Sequence, residues 1–189
     1  MLIFYLHGFS STSQSRKGQA LKRLLPEHRV VCLDYPYPPF EAARALVHQA
    51  SEHGAGHQPC VFIGASLGGL FARYLATRFA AKAVLINPVV RAELMRALIG
   101  PVENYYTGEH YEWRAEDVEE LKRYDAPLTF PTLVLLDEAD EVLDYRMAVA
   151  AYRDAAEVIV FPGGDHAFQH LDDSIPHIRQ FLFDSTCNR

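Results

Sequence analysis

"VFIGASLGGLFARYLA", residues 61–76, sets a single serine between small residues at the joint of two different hydrophobic patterns. Before it, residues 60–63 are short and continuously apolar, as a strand covered on both faces would be. After it, Leu67, Leu70, Phe71, Tyr74 and Leu75 recur at helical spacing. The joint, Gly64-Ala65-Ser66-Leu67-Gly68, reads G-x-S-x-G. A tight strand-to-helix turn holds such a serine in a strained conformation and projects its hydroxyl at the sheet edge. Residues two positions to either side must then be small, because strand and helix pack closely there. Five residues alone suit a helix-capping serine equally well. A strand before and an amphipathic helix after favour a nucleophile. The segment lacks the Gly-Lys-Ser/Thr ending of a phosphate loop and the G-x-G-x-x-G spacing of a dinucleotide site.

Working outward, the same short apolar runs return at residues 2–6, 30–33, 83–86, 132–136 and 158–161. Helical spacing occupies 15–25, 40–52, 145–155 and 173–183 between or after them. Strands alternating with helices imply right-handed βαβ units, and hence an α/β domain with a mostly parallel sheet of about six strands. One domain spanning 1–189 accommodates them all. Residues 88–131, between the fourth and fifth strands, are too many for one crossover helix and predict a small cap-like insertion. Within it, 90–99 and 115–124 look helical and flank "GPVENYYTGEHYEW", rich in aromatics and turn residues.

Composition narrows the classes. The net charge is −6, from 18 basic and 24 acidic residues, with no basic tract, which argues against nucleic acid as a partner. Cys32, Cys60 and Cys187 show no C-x-x-C spacing and read as reduced thiols. No leader-like segment precedes residue 2, and no apolar stretch is long enough for stable membrane insertion, so a cytoplasmic protein is expected. Oligomeric state leaves no signature.

A serine hydroxyl needs a base. Of nine histidines, His48, His53 and His57 suit a solvated helix and its exit loop better than a metal cluster. His7 and His166 each follow a strand, where groups in open α/β sheets converge. His166, in "FPGGDHAF" after the last strand, is the candidate base, because the glycines let a turn present its ring to Ser66. Three aspartates follow the fifth strand. Asp137 touches the strand end, Asp144 suits a helix N-cap, and Asp140 has the most freedom, which makes it the candidate acid. Glu138 and Glu141 are outside candidates, and Asp165 is too close to His166 in the chain to orient it. The backbone N–H groups of Leu67 and Phe9 are the candidate oxyanion donors, with Gly8 allowing close approach. His7, Gly8, Tyr105, Tyr106, Tyr111 and Trp113 are candidate substrate-binding residues. The insertion aromatics serve equally well as simple packing against the domain.

Taken together, "YLHGFSST", "IGASLGG", "NPVVR", "YTGEHY", "DEVLDYR" and "GGDHAF" resemble the α/β-hydrolase superfamily, and more narrowly the small bacterial YqiA-type esterases. The resemblance spans nearly the whole chain. It implies a three-layer α/β-hydrolase fold lacking the first two superfamily strands. It also implies Ser66 as nucleophile, Asp140 as acid and His166 as base. The substrate class implied is a small-molecule carboxylic ester, with thioesters next, and no metal or organic cofactor. The acid loop departs from the superfamily's G-x-x-D arrangement, since Asp137 stands where glycine usually does. A non-catalytic binding or scaffold protein on the same fold is the alternative.

Overall fold

Ile3 and Tyr5 point to one face of the first strand and Leu2, Phe4 and Leu6 to the other, yet all five are buried. That two-sided burial repeats across the central sheet and explains why its strands read as unbroken apolar runs. The computed structural model describes residues 1–184, which leaves Cys187 outside the described residues. The chain runs β1 (Leu2–Leu6), α1 (Arg16–Leu24), β2 (Arg29–Leu33), α2 (Pro39–Glu52), β3 (Cys60–Ala65), α3 (Leu67–Phe79) and β4 (Lys82–Ile86). After the insertion's β5 (Gly100–Glu103), β6 (His110–Trp113) and α4 (Ala115–Leu121) it returns through β7 (Thr132–Asp137), α5 (Tyr145–Tyr152), β8 (Glu157–Phe161) and α6 (Leu171–Phe183). The main sheet has six strands in the order β2-β1-β3-β4-β7-β8, and every pairing is parallel. Helices α1 and α6 cover one face; α2, α3 and α5 cover the other.

Strand order places the site. From β1 the chain moves outward to β2, whereas from β3 it moves the other way to β4. The loops after β1 and β3 therefore diverge and open a crevice at their C-terminal ends. Leu6 pairs with Gly64 in register, so residues 7–9 and Ser66 emerge side by side there.

The insertion departs from expectation. Residues 100–103 and 110–113 form an antiparallel hairpin within the stretch that the sequence marks only as rich in aromatics and turn residues. Its signal is an alternation: Val102, Tyr111 and Trp113 turn inward while Pro101 and Glu112 stay exposed. Asn104 closes the turn by accepting from the N–H groups of Tyr106 and Thr107. The helix expected over 90–99 is a 3₁₀ segment, Ala92–Leu98, whose first N–H is capped by Asp125. Arg73 of α3, only 5% exposed, fastens the insertion. It pairs with Asp125 at 2.7 Å and donates to the carbonyls of Ala126 and Val90. No helix among the described residues is long and apolar enough to cross a membrane.

Candidate active site

Ser66 sits between β3 and α3 with φ 52° and ψ −121°, a conformation that L residues rarely adopt. The surrounding backbone holds it there. Its N–H donates to Ile86 O at 3.0 Å, and its carbonyl accepts from Gly69 and Val89. The glycines of the motif are forced by contact. A Cβ on Gly64 would lie 2.1 Å from Gly68 O, and one on Gly68 would lie 2.3 Å from Leu6 O.

The loop after β8 brings His166 across. Its Nε2 lies 3.1 Å from Ser66 Oγ, and its Nδ1 lies 2.9 Å from Asp140 Oδ2 and 3.0 Å from Oδ1. A ring nitrogen facing a carboxylate must carry the proton, so Nδ1 donates and Nε2 presents a lone pair to the serine hydroxyl. The Asp140 side chain is 1% exposed. Its Oδ1 also accepts from the N–H groups of Val142 and Leu143, at 2.9 and 2.8 Å. Burial pushes this carboxyl up, but the hydrogen bonds from His166, Leu143 and Val142 together with the imidazole charge outweigh it. The group ends below the usual aspartate value. The N–H of His166 donates to Glu141, which ties the loop of the candidate base to the loop of the candidate acid.

Phe9 and Leu67 line one small opening beside Ser66. The Gly8 backbone closes on Ser66 so tightly that a Cβ there would lie 3.3 Å from Ser66 Cβ. His7 lines the floor of this opening. It is buried and stacked on Tyr35, and its Nδ1 donates to Gly8 O at 2.8 Å. Burial holds its pKa below the ordinary value, against the opposing effects of Gly8 O and Asp34. The walls also include Ser10, Tyr37, Asn104 and Glu109, none of them singled out from the sequence. The signal for Tyr37 was in "DYPYPP" after β2, where prolines stiffen a loop that starts at a strand's C-terminal end.

The insertion aromatics stand elsewhere. Trp113 is fully buried, edge-on to Phe9, with its indole N–H donating to Met95 O. It packs through Phe9 against the loop after β1, and an indole of that size is readily buried once its one donor is satisfied. Tyr111 stacks on Tyr37 and bonds Asp117. Tyr105 and Tyr106 are exposed, at 88% and 52%, because Asn104 turns the hairpin tip outward. Of the remaining acidic residues, Asp144 caps α5 through the N–H of Arg146, and Asp137 bonds residues around His166 without touching its ring. A wide groove lies away from this site, between α2 and α3. No three His, Cys, Asp or Glu side chains among the described residues cluster as metal ligands.

A family model described as "Uncharacterised protein family (UPF0227)" matches residues 2–183. A UPF0227 protein of Shewanella sp. strain MR-4 is 26% identical over 184 residues, covering 95% of this chain and 98% of the relative. Among solved structures, Est1E from Butyrivibrio proteoclasticus superposes with TM-score 0.75 at 18% identity, covering 96% of this chain and 86% of that one. A monoacylglycerol lipase of Paleococcus ferrophilus gives 0.74 at 17%, covering 96% and 93%. An alpha/beta superfamily hydrolase of Oenococcus oeni gives 0.66 at 15%, covering 96% and 91%. These likenesses establish the α/β-hydrolase fold.

Proposed function

We propose a function from the site outward, because the chain belongs to UPF0227, a family described only as uncharacterised: it is a serine hydrolase of small carboxylic esters. One observation carries the reading. Ser66 Oγ, His166 and Asp140 form a continuous hydrogen-bonded line, with the serine at a strained elbow heading a helix.

In this reading His166 Nε2 takes the Ser66 proton as Oγ attacks the acyl carbonyl. The buried Asp140 carboxylate stabilises the imidazolium that forms. The N–H groups of Phe9 and Leu67 receive the oxyanion, at a helix N-terminus where negative charge is favoured. On collapse His166 gives its proton to the leaving alcohol. Water, activated by the same nitrogen, then frees the acid. The small opening beside Phe9 suits a compact group carrying hydroxyls, which Ser10 and Tyr37 can meet. Thioesters fit the same chemistry. The monoacylglycerol lipase of Paleococcus ferrophilus offers, by its name, a precedent for an ester hydrolase on this fold.

Labelling with a fluorophosphonate probe tests the proposal. Covalent modification of the wild type, abolished in Ser66→Ala and accompanied by turnover of p-nitrophenyl acetate, is the expected result. A folded wild type that neither labels nor turns over esters would return the chain to the scaffold alternative.

A further inference from the structure

Asp137 takes no part in the chemistry above, yet it replaces a glycine that the acid loop's pattern ordinarily has, and it is completely buried. It ends β7, three residues before Asp140. Its Oδ2 accepts from the N–H of Asp165 at 3.2 Å and of Gln169 at 2.7 Å, and its Oδ1 meets His170 Nδ1 at 2.7 Å. These three partners lie on both sides of His166. Its own N–H donates to Asn87 Oδ1, and its carbonyl accepts from Asp140 N–H. One residue therefore anchors the base loop at both ends and the acid loop at its start.

The fit is close. A Cβ on Gly164, which has φ +76°, would lie 2.0 Å from Asp137 Oδ2. His170 is held in turn by stacking on Phe161, the last residue of β8, at 5.2 Å. The loop's carbonyls are tied separately: Asn87 Nδ2 donates to Asp165 O, and Lys17 Nζ to Ala167 O. Gly163 and Gly164 open the loop with permissive backbone, so the direction of the His166 ring depends on these outside restraints.

We propose that Asp137 and His170 are positioning residues that together aim the His166 imidazole at Ser66. This rests on the hydrolase reading above, and neither residue touches the reacting atoms. His170→Phe keeps a ring against Phe161 but deletes the donor to Asp137. His170→Asn returns an N–H near the lost one. The experiment uses the whole chain, with p-nitrophenyl acetate turnover, fluorophosphonate labelling rates, thermal melting and the NMR resonance of the His166 Nδ1 proton. His170→Phe lowers kcat about tenfold to a hundredfold through ring misplacement. KM stays within about twofold, because no binding contact is lost. The Nδ1 proton signal broadens, and His170→Asn restores both readouts. The proposal is overturned if His170→Phe keeps wild-type kcat, or if kcat falls only in step with melting temperature and His170→Asn recovers neither. A wild type with no Ser66-dependent turnover defeats the hydrolase reading separately. The positioning role is then judged on the His166 proton signal, and an unchanged signal in His170→Phe overturns it.

Discussion

Replacing Asp140 by asparagine changes two atoms' chemistry and no atom's position, and the hydrogen bonds dictate which way the amide turns. Oδ1 accepts from the N–H groups of Val142 and Leu143 at 2.9 and 2.8 Å. An NH₂ placed there would face two donors, so the side-chain carbonyl must keep that position. The NH₂ then occupies the Oδ2 site, 2.9 Å from His166 Nδ1. That NH₂ opposes the Nδ1 proton, which keeps only the contact to Oδ1 at 3.0 Å, and so the balance moves toward the tautomer with its proton on Nε2, which faces Ser66 Oγ at 3.1 Å. The ring becomes a donor to the very hydroxyl whose proton it should accept. The same exchange in Ser-His-Asp triads costs about 10⁴-fold in kcat, equivalent to about 5 kcal/mol of barrier. Steady-state turnover of p-nitrophenyl acetate by Asp140→Asn, with thermal melting to verify the fold, measures it. A well-folded variant keeping more than about a tenth of wild-type kcat would mean that Asp140 does not set the tautomer. The reasoning from Val142 and Leu143 would then be wrong.

Three further outcomes are expected. The depressed pKa of Asp140 stabilises the folded state above the ordinary value of 3.8, and that stabilisation is lost as pH falls through the lower folded-state value. The melting-temperature gap between wild type and Asp140→Asn should therefore be constant near neutrality and shrink below about pH 4; a gap that widens on acidification contradicts the assigned direction. Gly68→Ala puts a Cβ 2.3 Å from Leu6 O and 2.4 Å from His7 O, where ordinary contact begins near 3.4 Å. The first turn of α3 must back away from β1 by about 1 Å, separating Leu67 N–H from Phe9 N–H and lowering kcat about a hundredfold; unchanged kcat in a folded protein removes this pair as oxyanion donors. Asp125→Ala strands the buried Arg73 guanidinium and should lower unfolding stability by about 3 kcal/mol in urea titration; an unmoved midpoint would show that Arg73 does not secure the insertion.

The parallel sheet was legible because local pattern and global topology agree. Runs such as "LIFYL" and "TLVLL" have no polar side, which only two covered faces can explain, and both are strands of the six-stranded sheet. Ser66, Asp140 and His166 could be named because each lies in the segment that follows a strand whose C-terminal end the topology must bring to one edge. Their approach within 3.1 Å is what that edge supplies. The hairpin at 100–113 was hidden by its composition. Four aromatics and two glycines mask an alternation only four residues long on each side. The fate of Trp113 depended on Phe9 and Met95, which lie 104 and 18 positions away in the chain, and no window of sequence contains that contact. Tyr37 and Glu109 reach the opening beside Phe9 from two separate loops, so their proximity is likewise a property of the fold alone.

Two carboxylates three residues apart face two histidines four residues apart, and the structure pairs Asp140 with His166 and Asp137 with His170. Nothing in residue type distinguishes these pairs, since each joins an aspartate to a histidine and both aspartate side chains are buried. Geometry around Ser66 does. Asp137 is still part of β7, so its carboxylate is fixed at the sheet and reaches the foot of the base loop. Asp140 lies beyond a turn held by Ala139 N–H to Gly163 O and Asp140 N–H to Asp137 O, which carries it toward the loop's crest. For His170 to face Ser66 instead, the base loop would have to slip by four residues. Gly164 already packs against Asp137 with no room for a Cβ, and Gln169 N–H is bound to the same carboxylate at 2.7 Å. The departure at position 137 thus does what a glycine there could not: it fixes which histidine stands over the serine.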